Sequence, residues 1–142
     1  SNALFRYAVQ AQGEQIHIAS WPGGMPFINA IMDAAVRHYA FESQCFVISV
    51  TSLLSEEILE HLADGSGVER LNKGGGYSLI VDPRGKYLAG PELEEEGLIT
   101  AELDLDEIAD AKMIVDSSGH YARPDVVQLH VNRKKQAPLV DD

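Results

Sequence analysis

The order of patterned segments predicts an α+β fold, a mixed sheet carrying helices on one face. Three observations carry this reading. Gln15–Trp21 alternates apolar and polar residues, as a half-buried strand does. Cys45–Val50 is a short run dominated by apolar residues, the signature of a strand buried on both faces. A helical pattern lies between them, and elements in such mixed order pack as a sheet under a helical layer. So apolar a central strand needs cover on both faces, more than 142 residues in this order supply, and the fold is expected to be incomplete.

Ser1-Asn2-Ala3 reads as the remnant of a cleaved affinity tag, leaving residues 4–132 as half of a larger domain and 133–142 as a polar, frayed tail. Leu4, Tyr7, Ala8 and Ala11 recur at helical spacing, with Gly13 as C-terminal cap. The strand Gln15–Trp21 is stopped by Pro22-Gly23-Gly24. Pro26 suits the first turn of a second helix, whose expected apolar face is Phe27, Ile28, Ile31, Ala34, Ala35 and Tyr39. After the apolar strand, Ser55 caps a short helix through His61, with Glu56 and Glu57 at its positive end. Asp64–Gly67 is a loop. Asp82-Pro83-Arg84-Gly85, with proline second and glycine fourth, predicts a hairpin turn between Tyr77–Val81 and Lys86–Ala89. Leu98–Leu103 is a further predicted strand, and Asp104 with Glu107 a capping box for a helix through Met113.

The net charge of −11 leaves no basic stripe able to release counterions from nucleic acid, so nucleic acid is not an expected partner. No apolar stretch reaches the ~20 residues of a membrane span, and no leader of the signal-peptide type is present. A single cysteine excludes an internal disulfide framework and fits a cytoplasmic location.

Cys45 invites a nucleophile reading, yet it opens an apolar strand with no cation near it in sequence, and a buried structural thiol is expected. The five histidines show no close metal-ligand pairing, so no metal site is expected. Lys73–Ser78 lacks the residue order of a phosphate loop and reads as a flexible entry into a strand; Glu92, Glu94, Glu95 and Glu96 read as a solvated loop. Two segments stand out. His17–Pro22 places the only tryptophan at a strand end before a turn, where mixed folds gather ligand sites, so Trp21 either lines a pocket or packs. Asp116–Asp125 gathers polar groups around glycine and proline, forming either a site or a structural hydrogen-bond network.

These segments, with those between them, resemble the nitrilase branch of the carbon–nitrogen hydrolase superfamily from Leu4 to about Asn132. The marks are Gln12–Pro22, Tyr39–Ser43 before Cys45-Phe46-Val47, Gly75–Ser78 with Asp82–Gly85, Gly97–Glu102, and Asp116 with Gly119–Val126, in that order. The resemblance implies a portion of a four-layer α-β-β-α sandwich. It also implies catalysis by Glu, Lys and Cys, in which the thiolate attacks a nitrile carbon and water releases carboxylic acid and ammonia. Neither a metal nor an organic cofactor is implied. The family's nucleophile falls a few residues before the position of Leu4 and its Glu and Lys earlier still, so no catalytic residue is expected in this chain. What carries over is a substrate-binding wall at Ser20, Trp21 and Pro22, with His120 and Arg123 in the later loop. The expected parent is a nitrilase acting on a small-molecule nitrile, and the chain alone an inactive, self-associating fragment. A cyanide-converting enzyme, an amidase, or a non-catalytic assembly module are the alternatives.

Overall fold

The structure is a computed structural model in which residues 2–62 and 71–134 are described; the expected Asp64–Gly67 loop and the tail beyond residue 134 lie outside them. Helix α1 (Ala3–Gln10) starts at Asn2, whose Oδ1 accepts the amides of Leu4 at 3.0 Å and Phe5 at 3.3 Å. The residues set apart as tag-like thus provide this helix's N-cap and first residue. Strand β1 (Ile16–Trp21) follows, then a 3₁₀ turn at Pro26–Ile28 running into α2 (Asn29–Ser43). Strand β2 (Phe46–Thr51) and α3 (Glu56–Leu62) come next, the latter capped by Ser55 Oγ through the Ile58 amide at 3.2 Å, as expected. The hairpin of β3 (Ser78–Val81) and β4 (Tyr87–Glu92) and helix α4 (Asp106–Lys112) complete the order.

The strands form one mixed sheet in the order β1-β2-β3-β4. Strands β1 and β2 are parallel, with Ile18 opposite Ile48, as the intervening helix requires. The β2–β3 and β3–β4 pairs are antiparallel. Side chains alternate between faces, so His17, Ala19, Trp21, Val47, Leu79 and Val81 share one face and α2 covers it with Val36, Tyr39 and Ala40. The opposite face carries Ile16, Ile18 and Val50, all exposed, beside half-buried Ile48 and buried Phe46 and Ile80; Ile18, Ile48 and Ile80 are in register. The expected helical cover of one face by α2 is therefore observed, and the other face is exposed at Ile16, Ile18 and Val50.

The turn Asp82–Gly85 is built as predicted: Gly85 N–H reaches Asp82 O at 2.9 Å, and Asp82 Oδ1 accepts the amides of Arg84 and Lys86, each at 2.8 Å. Gly85 has φ +74°, and a Cβ there would stand 2.9 Å from Arg37 O. Arg37 Nε donates back to Gly85 O at 2.8 Å, fastening the turn to α2.

Four expectations need correction. Leu98–Leu103 is not a strand: it pairs with none of the described strands, Leu98 is 89% exposed, and residues 97–99 lie against Ile48, Val50 and Ile80 on the open face. The buried face of α2 is Met32, Val36, Tyr39, Ala40 and Ser43, while Phe27 and Ile31 are exposed; this helix is apolar on more than one side, and contact with β2 and β3 selects the face. The capping box at α4 does not close, because Asp104 Oδ1 takes the Asp106 amide at 3.0 Å and Glu107 turns to Arg84 at 3.2 Å. The glycine run at 74–76 is packed rather than loose. Gly74 bridges Leu54, Gly75 O accepts from Gly24 N–H at 3.1 Å, and a Cβ on Gly75 (φ +65°) would fall 2.6 Å from Gly24 Cα. Where the expected tail begins, Arg133 Nη2 donates to Gln12 Oε1 at 2.8 Å, and residues 135–142 lie outside the described residues. No helix among the described residues is long and apolar enough to cross a membrane.

Candidate functional site

Parallel pairing brings the C-terminal ends of β1 and β2 to the same end of the sheet, with Trp21 opposite Thr51. Loops converge there: Gly23 N–H donates to Ser52 Oγ at 2.8 Å, Tyr77 N–H to Thr51 Oγ1 at 2.6 Å and Thr51 N–H to Ser78 Oγ at 3.0 Å. Of the residues expected to bind substrate, Trp21 is half-buried against the core, whereas Ser20 projects from the open face and Pro22 is exposed. Adjacent strand residues point to opposite sides, so Ser20 and Trp21 cannot line one wall with their side chains. His120 is exposed and lies against Tyr121, ring centroids 4.6 Å apart. Among the described residues no hydrogen bond or ring contact joins it to Ser20, Trp21 or Pro22.

The segment carrying His120 is stitched internally. Asp116 Oδ1 accepts the Gly119 amide at 2.8 Å, and Arg123 and Asp125 form a two-pronged pair at 2.8 and 2.6 Å. Arg123 holds the Asp125 carboxyl below its usual range. Residues 117–133 line clefts against the apolar stripe of α1, one of about 480 Å³ that includes Tyr7, Ala8, Ala11 and His130.

A second cluster went unnoticed in the sequence. Glu14, in the turn between α1 and β1, accepts from Tyr39 Oη on α2 at 2.5 Å and meets His17 Nδ1 at 2.6 Å. The His17 and Tyr39 rings lie 4.3 Å apart, and the Arg6 guanidinium sits 5.7 Å from the Tyr39 ring centre. Burial first, then the hydrogen bond to Glu14, pushes the Tyr39 phenol well above its ordinary range. Arg6, His17, Trp21 and Tyr39 line a cavity of about 60 Å³ whose remaining wall is Ala19, Ala35, Val36 and Val47. Arg6 Nε and Trp21 Nε1 are buried there without a partner. The local signal was the Glu14–His17 spacing at a strand entry; Tyr39 is 25 residues from Glu14, beyond any short motif.

Cys45 is fully buried, and burial with the nearby Glu14 charge pushes its thiol up to about 12. At neutral pH it is a protonated thiol, not a thiolate nucleophile. Among the described residues no group of three or more His, Cys, Asp or Glu is placed to hold a metal ion.

The mixed four-stranded sheet with its helices is an α+β fold, and solved structures share it. The C. elegans NitFhit protein superposes with TM-score 0.66 at 21% identity, over 95% of this chain and 29% of that one. The chain belongs to the carbon-nitrogen hydrolase family, which it matches over residues 2–113. Its relatives there include a nitrilase of Pseudomonas syringae pv. syringae, 42% identical over 97% of this chain and 44% of its own length. An aliphatic nitrilase of Rhodococcus rhodochrous is 40% identical over 96% and 40% respectively. The chain thus spans about two fifths of the length of the curated relatives it matches.

Proposed function

We propose that this chain is the C-terminal part of a nitrilase whose whole form hydrolyses a small nitrile to a carboxylic acid and ammonia, taking up two water molecules. The catalytic Glu, Lys and Cys lie in the part that precedes Leu4. The observation that carries the reading is identity to nitrilases sustained over nearly the whole chain while its one thiol is buried and protonated. The open apolar face and the edge of β1 away from β2 support it, since a second sheet and a further strand would cover both. Trp21, at the end of β1, contributes to substrate binding once the preceding part supplies the nucleophile. The same open face supports a second reading, a non-catalytic assembly module.

Ammonia release from aliphatic and aromatic nitriles tests the proposal. The chain alone is expected to release none, and the protein extended through the upstream gene sequence to release ammonia at a rate that falls to background when its upstream cysteine is replaced. Activity of the chain alone that vanishes in Cys45→Ala makes Cys45 the nucleophile and overturns the assignment.

A further inference from the structure

We propose that Ser52 is a positioning residue for Trp21, setting how sharply the end of β1 discriminates between bulky and small nitriles; this deepens the nitrilase reading and rests on it. Three atoms of Ser52 meet the turn that follows Trp21. Its amide donates to Trp21 O at 3.4 Å, and its Oγ accepts from Gly23 N–H at 2.8 Å. Its carbonyl oxygen stands 1.4 Å from where a Cβ on Gly23 would fall, so the two backbones approach too closely for any residue but glycine. Pro22, between the two bonded groups, has a fixed φ and no N–H of its own. One residue at the exit of β2 thus grips the segment Trp21–Gly23 at both ends.

The far side of the same turn is held by backbone alone. Gly24 N–H donates to Gly75 O at 3.1 Å, and Gly24 O accepts from Asn72 N–H at 2.9 Å. Side-chain substitution leaves such bonds in place, so Ser52 Oγ is the point at which the sequence tunes the turn. It acts on a donor that needs it: Gly23 is buried, and among the described residues its N–H has no other acceptor. Ser52 itself is exposed, so its hydroxyl fills no core space and removing it leaves no cavity. What the hydroxyl contributes is the placement of the neighbouring strand end.

The protein extended through the upstream sequence tests this with one bulky aromatic and one small aliphatic nitrile. Ser52→Ala is expected to raise KM for the bulky nitrile by about threefold or more relative to the small one, the weight of one neutral hydrogen bond, with kcat moving less. Ser52→Thr, which restores the hydroxyl at an exposed position, should return the KM ratio to that of the unsubstituted protein. In a Trp21→Ala background Ser52→Ala should change the ratio no further, since it acts through Trp21. Trp21 is the only tryptophan of the 142-residue chain, and in that chain acrylamide should quench its emission more strongly in Ser52→Ala than in Ser52→Thr or the unsubstituted form. An unchanged KM ratio in an active Ser52→Ala enzyme overturns the proposal. So does a shift of equal size in the Trp21→Ala background, or one that Ser52→Thr fails to reverse. An unsubstituted extended protein that hydrolyses no nitrile overturns the nitrilase reading instead, and quenching unchanged in Ser52→Ala overturns the positioning role whatever the kinetics.

Discussion

Tyr39 donates its phenolic hydrogen to Glu14 across 2.5 Å, tying the middle of α2 to the turn that feeds β1. The same carboxylate meets His17 on the strand itself, so one side chain fixes α1, β1 and α2 relative to one another. Removing either partner leaves the other part-buried and underbonded. Tyr39→Phe and Glu14→Gln are each expected to lower unfolding free energy by about 1–3 kcal/mol. The double variant should lose less than the sum, by at least about 0.5 kcal/mol. Urea unfolding of the four proteins measures this, and strict additivity would show that the contact carries no coupling.

Cys45 should be inert while the chain is folded. Its thiol pKa is raised from 9.0 to about 12, so below pH 9 both folded and unfolded states hold the proton and ionisation costs nothing. Above pH 9 the unfolded thiol ionises while the folded one does not, so stability falls as pH rises toward 12. The raised Tyr39 phenol acts in the same direction. Iodoacetamide labelling at pH 8 should follow global unfolding, and Cys45→Ala should flatten the alkaline decline in part. Rapid labelling of the native chain would contradict the burial.

Gly75→Ala should destabilise the loops at the end of β1 and β2 by about 1–3 kcal/mol, through its positive φ and the 2.6 Å approach to Gly24 Cα. Gly97→Ala meets nothing within 4 Å and should cost little. Thermal midpoints of the two variants compare them, and equal shifts would argue against close packing at Gly75.

The open sheet face predicts self-association. Ile18 is 69% exposed in register with Ile48, and Val50 is 48% exposed two residues further along β2. Contiguous apolar surface beside an unpaired edge promotes assembly, and the net charge of −11 opposes unlimited aggregation, so a discrete dimer or larger symmetric particle is expected. Light scattering coupled to size exclusion should show it, with Ile18→Lys shifting mass toward monomer. A monodisperse monomer with a cooperative thermal transition would mean that this segment completes its own core.

Trp21→Ala in the extended protein should change the ratio of rates for small and bulky nitriles. The residue closes β1 at the strand end, packed against the core on one side. If stability drops while the ratio stays put, Trp21 is a packing residue only.

Much of the framework was legible in the sequence because it rests on local chemistry. The alternation of Gln15–Trp21, the apolar run of Cys45–Val50, the Ser55 cap and the Asp82–Gly85 turn each depend on neighbours within a few residues; each formed within a residue of its expected bounds, although Val50 is exposed where cover on both faces was expected. Family membership was legible too, through short segments in fixed order rather than any one motif. Leu98–Leu103 has the composition of a strand but not the structure, because a strand exists only where another offers its unpaired amides and carbonyls. The buried face of α2 was settled by β2 and β3, since apolar residues on two sides leave the choice to packing. The Glu14–Tyr39–His17 cluster and the cavity beside it arise from residues on three elements. Their types are visible in the sequence; that they meet is decided only when the sheet draws α1 and α2 onto one face.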